Sequence, residues 1–302
     1  MKTPVKYFLA GILSFAIWGF FSIPLRNLKA FPSEEILYYR VFASVVLLWI
    51  AILIFRRRYI RQDIEYLCGI EWKEQRMILL KMLAATIFLV LNWYTYIYAV
   101  NNVSLQSAAF AYMVCPLLTA FGGFILLKEK LSVFKFAALG IAFISIVLQA
   151  TGSLIEVAWS VGIAFLYALY LILQRTMQHL DKLNVLAVQI AIAVILMLPF
   201  YITRHGAIPS ESWFWTNIIV IALVFTIIPL FLSLYALIGI PSSTLGIIIY
   251  VNPIIAFTVA ILYFNEKIDP HRVFSYSLLL ISIVIFNWHL IRGIFTAKLK
   301  NG

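Results

Sequence analysis

Apolar residues come in long unbroken runs along this chain, and polar residues mark the gaps. No Asp, Glu, Lys, Arg or His lies between Met82 and Leu127, nor between Ser212 and Asn265. Each of those stretches is long enough for two membrane-crossing helices of about 20 residues. Each is also broken by a turn signal, Asn101-Asn102 in the first and Gly239-Ile240-Pro241 in the second. The other apolar runs are Tyr7–Leu25, Ile36–Phe55, Val133–Ala150, Ile155–Gln174, Leu183–Tyr201 and Val273–Ile291. Together they predict an all-α integral membrane protein with ten transmembrane helices. Tyr7–Leu25 is too long for the apolar core of a cleaved signal peptide and lacks a small-residue cleavage site, so it reads as the first span. Within Arg56–Arg76, Ile60, Ile64 and Leu67 recur at helical spacing among basic residues. That segment reads either as a short amphipathic helix on the membrane surface or as a solvated basic loop.

Composition agrees with the pattern. Of 302 residues, 64% are hydrophobic and 12% charged, against about 45–50% apolar and 25% charged in soluble domains. An ordinary soluble enzyme and a disordered chain are both excluded. The net charge of +11 reads as basic loops against anionic lipid of the inner leaflet rather than as a nucleic-acid surface. With the N-terminus cytoplasmic, 17 of the 23 Lys and Arg fall on inside segments and 6 outside, the latter including Arg26 and Arg40. The positive-inside rule therefore puts both termini in the cytoplasm. All charged residues are expected in loops or near helix ends.

The chain also repeats itself. The run from Pro116 and the run from Pro253 align without a gap at an offset of 137 residues. Pro116 meets Pro253, Glu129-Lys130 meets Glu266-Lys267, and Ser145-Ile146-Val147 meets Ser282-Ile283-Val284. The offset separates helices four and five from helices nine and ten. Five helices is an odd number, so two such halves run in opposite directions across the bilayer. Residues 1–151, with the basic cytoplasmic loop 56–76, form the first half, and residues 152–302 the inverted second half. Inverted repeats of this kind mark secondary transporters. The two prolines are expected to supply paired breaks in helices four and nine.

Chemistry adds mainly exclusions. There is no nucleotide-binding P-loop, and no H-E-x-x-H or G-x-S-x-G motif. The four histidines are scattered, which argues against a metal site, and no cofactor is implied. The spans do hold uncharged polar side chains, which must turn away from lipid. One reading is a cavity for a small amphipathic molecule, with Trp and Tyr rings among its walls. Trp93, Tyr96 and Tyr98 fit equally an interfacial aromatic belt.

The sequence resembles the EamA family of the drug/metabolite transporter superfamily. The resemblance rests on Ile17-Trp18-Gly19; Glu35-Ile36-Leu37 with Arg40; Asn92-Trp93, Tyr96 and Asn101-Asn102; and Ala108, Tyr112 and Pro116. It continues through Gly162 to Tyr170, Thr226 with Pro229, and Ser243-Thr244-Leu245-Gly246, Tyr250 and Pro253. It implies a bacterial inner-membrane secondary transporter, an exporter of a metabolite, amino acid or drug working by alternating access. Carried over, Trp18, Asn92, Tyr96, Asn101, Tyr112, Tyr250 and Asn252 are cavity candidates. Arg40, Pro116, Pro253, Glu129 and Glu266 are gating or structural candidates. The other readings are a non-transporting sensor or partner subunit, and an integral-membrane lipid enzyme. The latter lacks the expected carboxylate or histidine cluster.

Overall fold

The computed structural model describes residues 5–128, 131–177, 179–204, 206–240, 245, 248–267 and 270–288. They are helical almost throughout. In chain order the helices are α1 (Val5–Gly19), α2 (Ser22–Asn27), α3 (Ser33–Phe55), α4 (Arg57–Gly69), α5 (Trp72–Asn102), α6 (Leu105–Leu127) and α7 (Val133–Gly152). After them come α8 (Leu154–Arg175), α9 (Lys182–Arg204) and α10 (Ser212–Ala222), a π-helical turn at Leu223–Ile227, α11 (Ile228–Gly239), α12 (Val251–Leu262) and α13 (Pro270–Phe286). Among the described residues, eight segments are long and apolar enough to span a membrane, counting α1–α2 as one and the α10–α11 run as another. Two further apolar helices, Val251–Leu262 and Val273–Phe286, are shorter. Large apolar side chains such as Phe55, Phe143, Leu154 and Ile195 face outward, as lipid contact requires and water does not permit at this scale.

Three sequence expectations are settled at the level of the helices. The Arg57–Gly69 segment is a helix. Its Ile60, Tyr66 and Leu67 pack on the core while Arg57, Arg58 and Arg61 stay outside. Pro116 lies inside α6 without ending it, and Pro253 sits in the first turn of α12. The breaks at the prolines are therefore unpaired: α6 runs on through Pro116, whereas a turn at Ile249-Tyr250 precedes the helix whose first turn holds Pro253, where a proline sacrifices no helical hydrogen bond. The first span is interrupted as well, between Gly19 and Ser22. There Phe20 and Phe21 donate to carbonyls three residues back, a tighter turn than the α-helix. A Cβ on Gly19 would lie 2.5 Å from that of Ile255 in α12, so glycine allows the two backbones to meet.

The helices interlock. α8 packs on α5 and α6, while α1 packs on α11 and α12. α3 pairs with α9, and α7 with α13. In the last pair, Ser145 Oγ donates to the Ser275 carbonyl and Ser282 Oγ to the Ala138 carbonyl, each at 2.7 Å. Positions 145 and 282 match under the 137-residue offset, as do 138 and 275. The contact is thus reciprocal, and partner numbers fall along α13 as they rise along α7, which makes the two helices antiparallel. Lys128 and Asn265, the described non-glycine residues with positive φ, are also 137 apart.

Candidate functional site

Arg40 overturns the expectation that charges stay in loops and at helix ends. It lies two turns into α3 and is 4% exposed. α3 turns it inward because the face carrying Ile36, Arg40, Ser44, Leu48 and Ile52 is the buried one, a spacing of four residues per step. The guanidinium is covered by two rings. Its carbon sits 4.8 Å from the centre of Phe21 and 4.5 Å from that of Trp93, both within cation–π range. Nε and Nη2 donate to Thr226 Oγ1 at 3.3 and 3.2 Å. Thr226 in turn gives its proton to the Ile221 carbonyl, five residues back. The wide π turn makes that bond possible, and such turns recur at functional sites.

Aromatic rings continue from this point. Phe21 stacks on Phe225 and Tyr96, Tyr96 meets Tyr112 edge-on at 5.4 Å, and Tyr112 meets Tyr167, which stacks on Tyr170. Trp18 donates its indole N–H to the Phe225 carbonyl at 2.9 Å. The cluster therefore unites Trp18, Arg40, Tyr96 and Tyr112 among the sequence candidates. It adds Phe21, Trp93, Tyr167 and Thr226, which the candidate set omitted. Trp93 and Tyr96 are both part of this ring cluster. The rings come from both sides of residue 152, and the Arg40–Thr226 bonds bridge them.

Other candidates sit elsewhere. Asn92 is fully buried and donates to the Ile163 carbonyl at 2.9 Å, tying α5 to α8. Both amide atoms of Asn101 are buried without a hydrogen-bond partner. Tyr250 is buried ahead of α12 and Asn252 half-buried in its first turn, with no described hydrogen bond or ring contact to the cluster. Glu129, and Ser243, Thr244 and Gly246 of the sequence motifs, lie outside the described residues.

Charged ties lie at both ends of the bundle. Near the start of α3, Arg26 pairs with Glu266. The same carboxylate accepts from the backbone N–H groups of Leu105 and Gln106 at 3.1 and 3.2 Å. A carboxylate at these N–H groups complements the positive end of α6. Glu156 supports the same terminus by accepting from Ser104 and Ser107 hydroxyls at 3.2 and 2.8 Å. At the other end of α3, Arg56 pairs with Asp181 at 2.7 Å. There Asp63 of α4 accepts from the Asp181 N–H and the Asn184 amide. A 23-residue helix holds these ends about 34 Å apart. An apolar cavity of about 130 Å³ lies under α4 among Trp49, Ile52, Leu67 and Leu180, away from Arg40.

The model of the EamA-like transporter family matches residues 5–151 and again 154–288. The chain is 30% identical over 293 residues to "Protein RarD" of Streptomyces exfoliatus, covering 94% of this chain and 89% of that one. "Uncharacterized transporter YojE" of Bacillus subtilis (strain 168) is 26% identical over 91% of each chain. "Protein RarD" of Escherichia coli (strain K12) is 25% identical over 92% of each. A solved crystal structure superposes with a TM-score of 0.62 over 93% of this chain and 96% of the other, at 12% identity, a likeness of fold alone.

Proposed function

The chain belongs to the EamA-like transporter family, and on that premise we propose that it is a secondary transporter rather than an enzyme. It carries a small organic solute, a metabolite, amino acid or drug, outward across the bacterial cytoplasmic membrane. Residues 1–151 and 152–302 act as inverted five-helix halves, with both termini inside and the basic face of α4 on anionic headgroups. The reciprocal Ser145 and Ser282 contacts support the inversion. Two equivalent helices that run antiparallel are related by an axis in the membrane plane, the arrangement that lets one half rock against the other.

The observation that carries the reading is the Arg40–Thr226 bridge. It supports the reading by joining Arg40 to Thr226, residues from either side of position 152, within a buried, polar, ring-lined cluster that has a charged tie toward each end. Alternating access then means opening the Arg26–Glu266 tie and the Arg56–Asp181 tie in turn. The test is counterflow by the purified chain in proteoliposomes, with labelled amino acids, sugars and antibiotics. Counterflow of at least one solute is expected, about tenfold faster in Thr226→Val, which lacks a bridge that must break as the halves move, since a tie worth 1.4 kcal/mol is a factor of ten. A folded chain that moves none of them overturns the proposal.

A further inference from the structure

Arg40 is a buried cation with no anion beside it among the described residues. The described ion pairs are Arg26–Glu266 and Arg56–Asp181. The phenols of Tyr96 and Tyr112 stand near it but are uncharged at neutral pH and supply no counter-charge. Its one described hydrogen-bond acceptor is the neutral Thr226 hydroxyl, which is shared between two of its nitrogens. Nη1 is buried with no hydrogen-bond partner among the described residues. A charge in that state is costly inside a membrane protein, and intramembrane charges are kept where they have work to do.

The geometry says what kind of group is missing. The Phe21 and Trp93 rings lie 4.8 and 4.5 Å from the guanidinium carbon, and the unpartnered Nη1 on its edge is the donor still to be satisfied. The edge is a planar fork of N–H donors, matched to the two oxygens of a carboxylate. The neighbouring rings of Tyr96 and Tyr112 offer flat apolar surface beside it. We infer that Arg40 is the recognition group for a carboxylate on the transported solute, with the solute's apolar body against this ring cluster. The inference rests on the transport reading and names its substrate class. It also supplies a coupling. A carboxylate on the guanidinium edge competes with Thr226, the one hydroxyl that ties Arg40 to the second half, so binding loosens the bridge that must yield when the halves rock.

The test is binding, measured on the full chain in detergent by thermal shift and by Trp fluorescence. The probes are benzoate, phenylacetate and phenylalanine, each beside its neutral amide, with phenyl phosphate to separate a carboxylate from anions in general. At least one carboxylate is expected to raise the melting temperature where its amide does not, and to do so more than phenyl phosphate. Arg40→Lys, which keeps the charge but loses the fork, is expected to weaken that binding about tenfold, and Arg40→Gln about a hundredfold. If no carboxylate outdoes its amide on the wild-type chain, the inference falls, whatever the variants do. It also falls if phenyl phosphate binds best, or if Arg40→Gln folds and binds undiminished. Counterflow of neutral solutes alone would refute the carboxylate and leave the transport reading standing, whereas carboxylate binding without any counterflow would do the reverse.

Discussion

Glu266 shows how much one side chain can hold together. Its carboxylate takes Arg26 of α2 and two backbone N–H groups of α6, so three segments far apart in sequence converge on it. Replacing it with Ala removes the ion pair and the cap together. By analogy with helix caps, the loss is about 1–2 kcal/mol, read as a lower melting temperature in detergent. Glu266→Gln, which keeps an acceptor, should fall in between, and an unchanged melting temperature in both would remove the residue from this role. The matched Glu-Lys pairs made Glu266 visible in the sequence. Its partners were not, because a helix N-terminus 160 residues away leaves no local mark. Arg40 was visible as a charge, but its spacing from the loop allowed an outer-side position. Only the buried face of α3 and the rings of Phe21 and Trp93 reveal that it turns inward.

Helices were legible where periodicity or punctuation reports them. Asn101-Asn102 and Gly239 end α5 and α11, as turn chemistry requires, and the spacing of Ile60, Ile64 and Leu67 anticipated one of two readings of α4. The interruption after Gly19 and the π turn at Leu223–Ile227 lie within uniform apolar runs. They arise from tertiary packing, α1 against α12 and Thr226 against Arg40, which hydropathy does not record. The α7–α13 pair supports a prediction at this scale. Ser145 and Ser282 are both fully buried, so Leu at either position forces the two helices apart, at a cost of about 1–3 kcal/mol for overpacking. Ala removes only the hydrogen bond, about 0.6 kcal/mol. Because the contacts are reciprocal, the two serines should respond alike, and melting temperatures of the four variants measure this. A large effect at one and none at the other would break the equivalence.

Across the whole molecule, the two charged ties close opposite ends of the same bundle. With Cys68 replaced by Ser, the buried Cys115 in α6 is the remaining thiol and reports access to the interior. Glu266→Ala should speed its modification by a membrane-impermeant maleimide added on the outer side, and Asp181→Asn should do so from the inner side. Equal rates in all three chains would mean that neither tie gates access. A molecule whose halves were identical would have inward-open and outward-open forms of equal free energy, each the mirror of the other in contacts. The reciprocal serine bonds stay neutral in that balance, since each is matched by its twin. On the proposed inverted arrangement, features of one half alone, such as the Arg40 node, the interrupted first span and the π turn, bias it. Each 1.4 kcal/mol of asymmetry would shift the resting ratio of the two forms tenfold, so the positions at which the halves differ would determine the side on which an empty transporter waits.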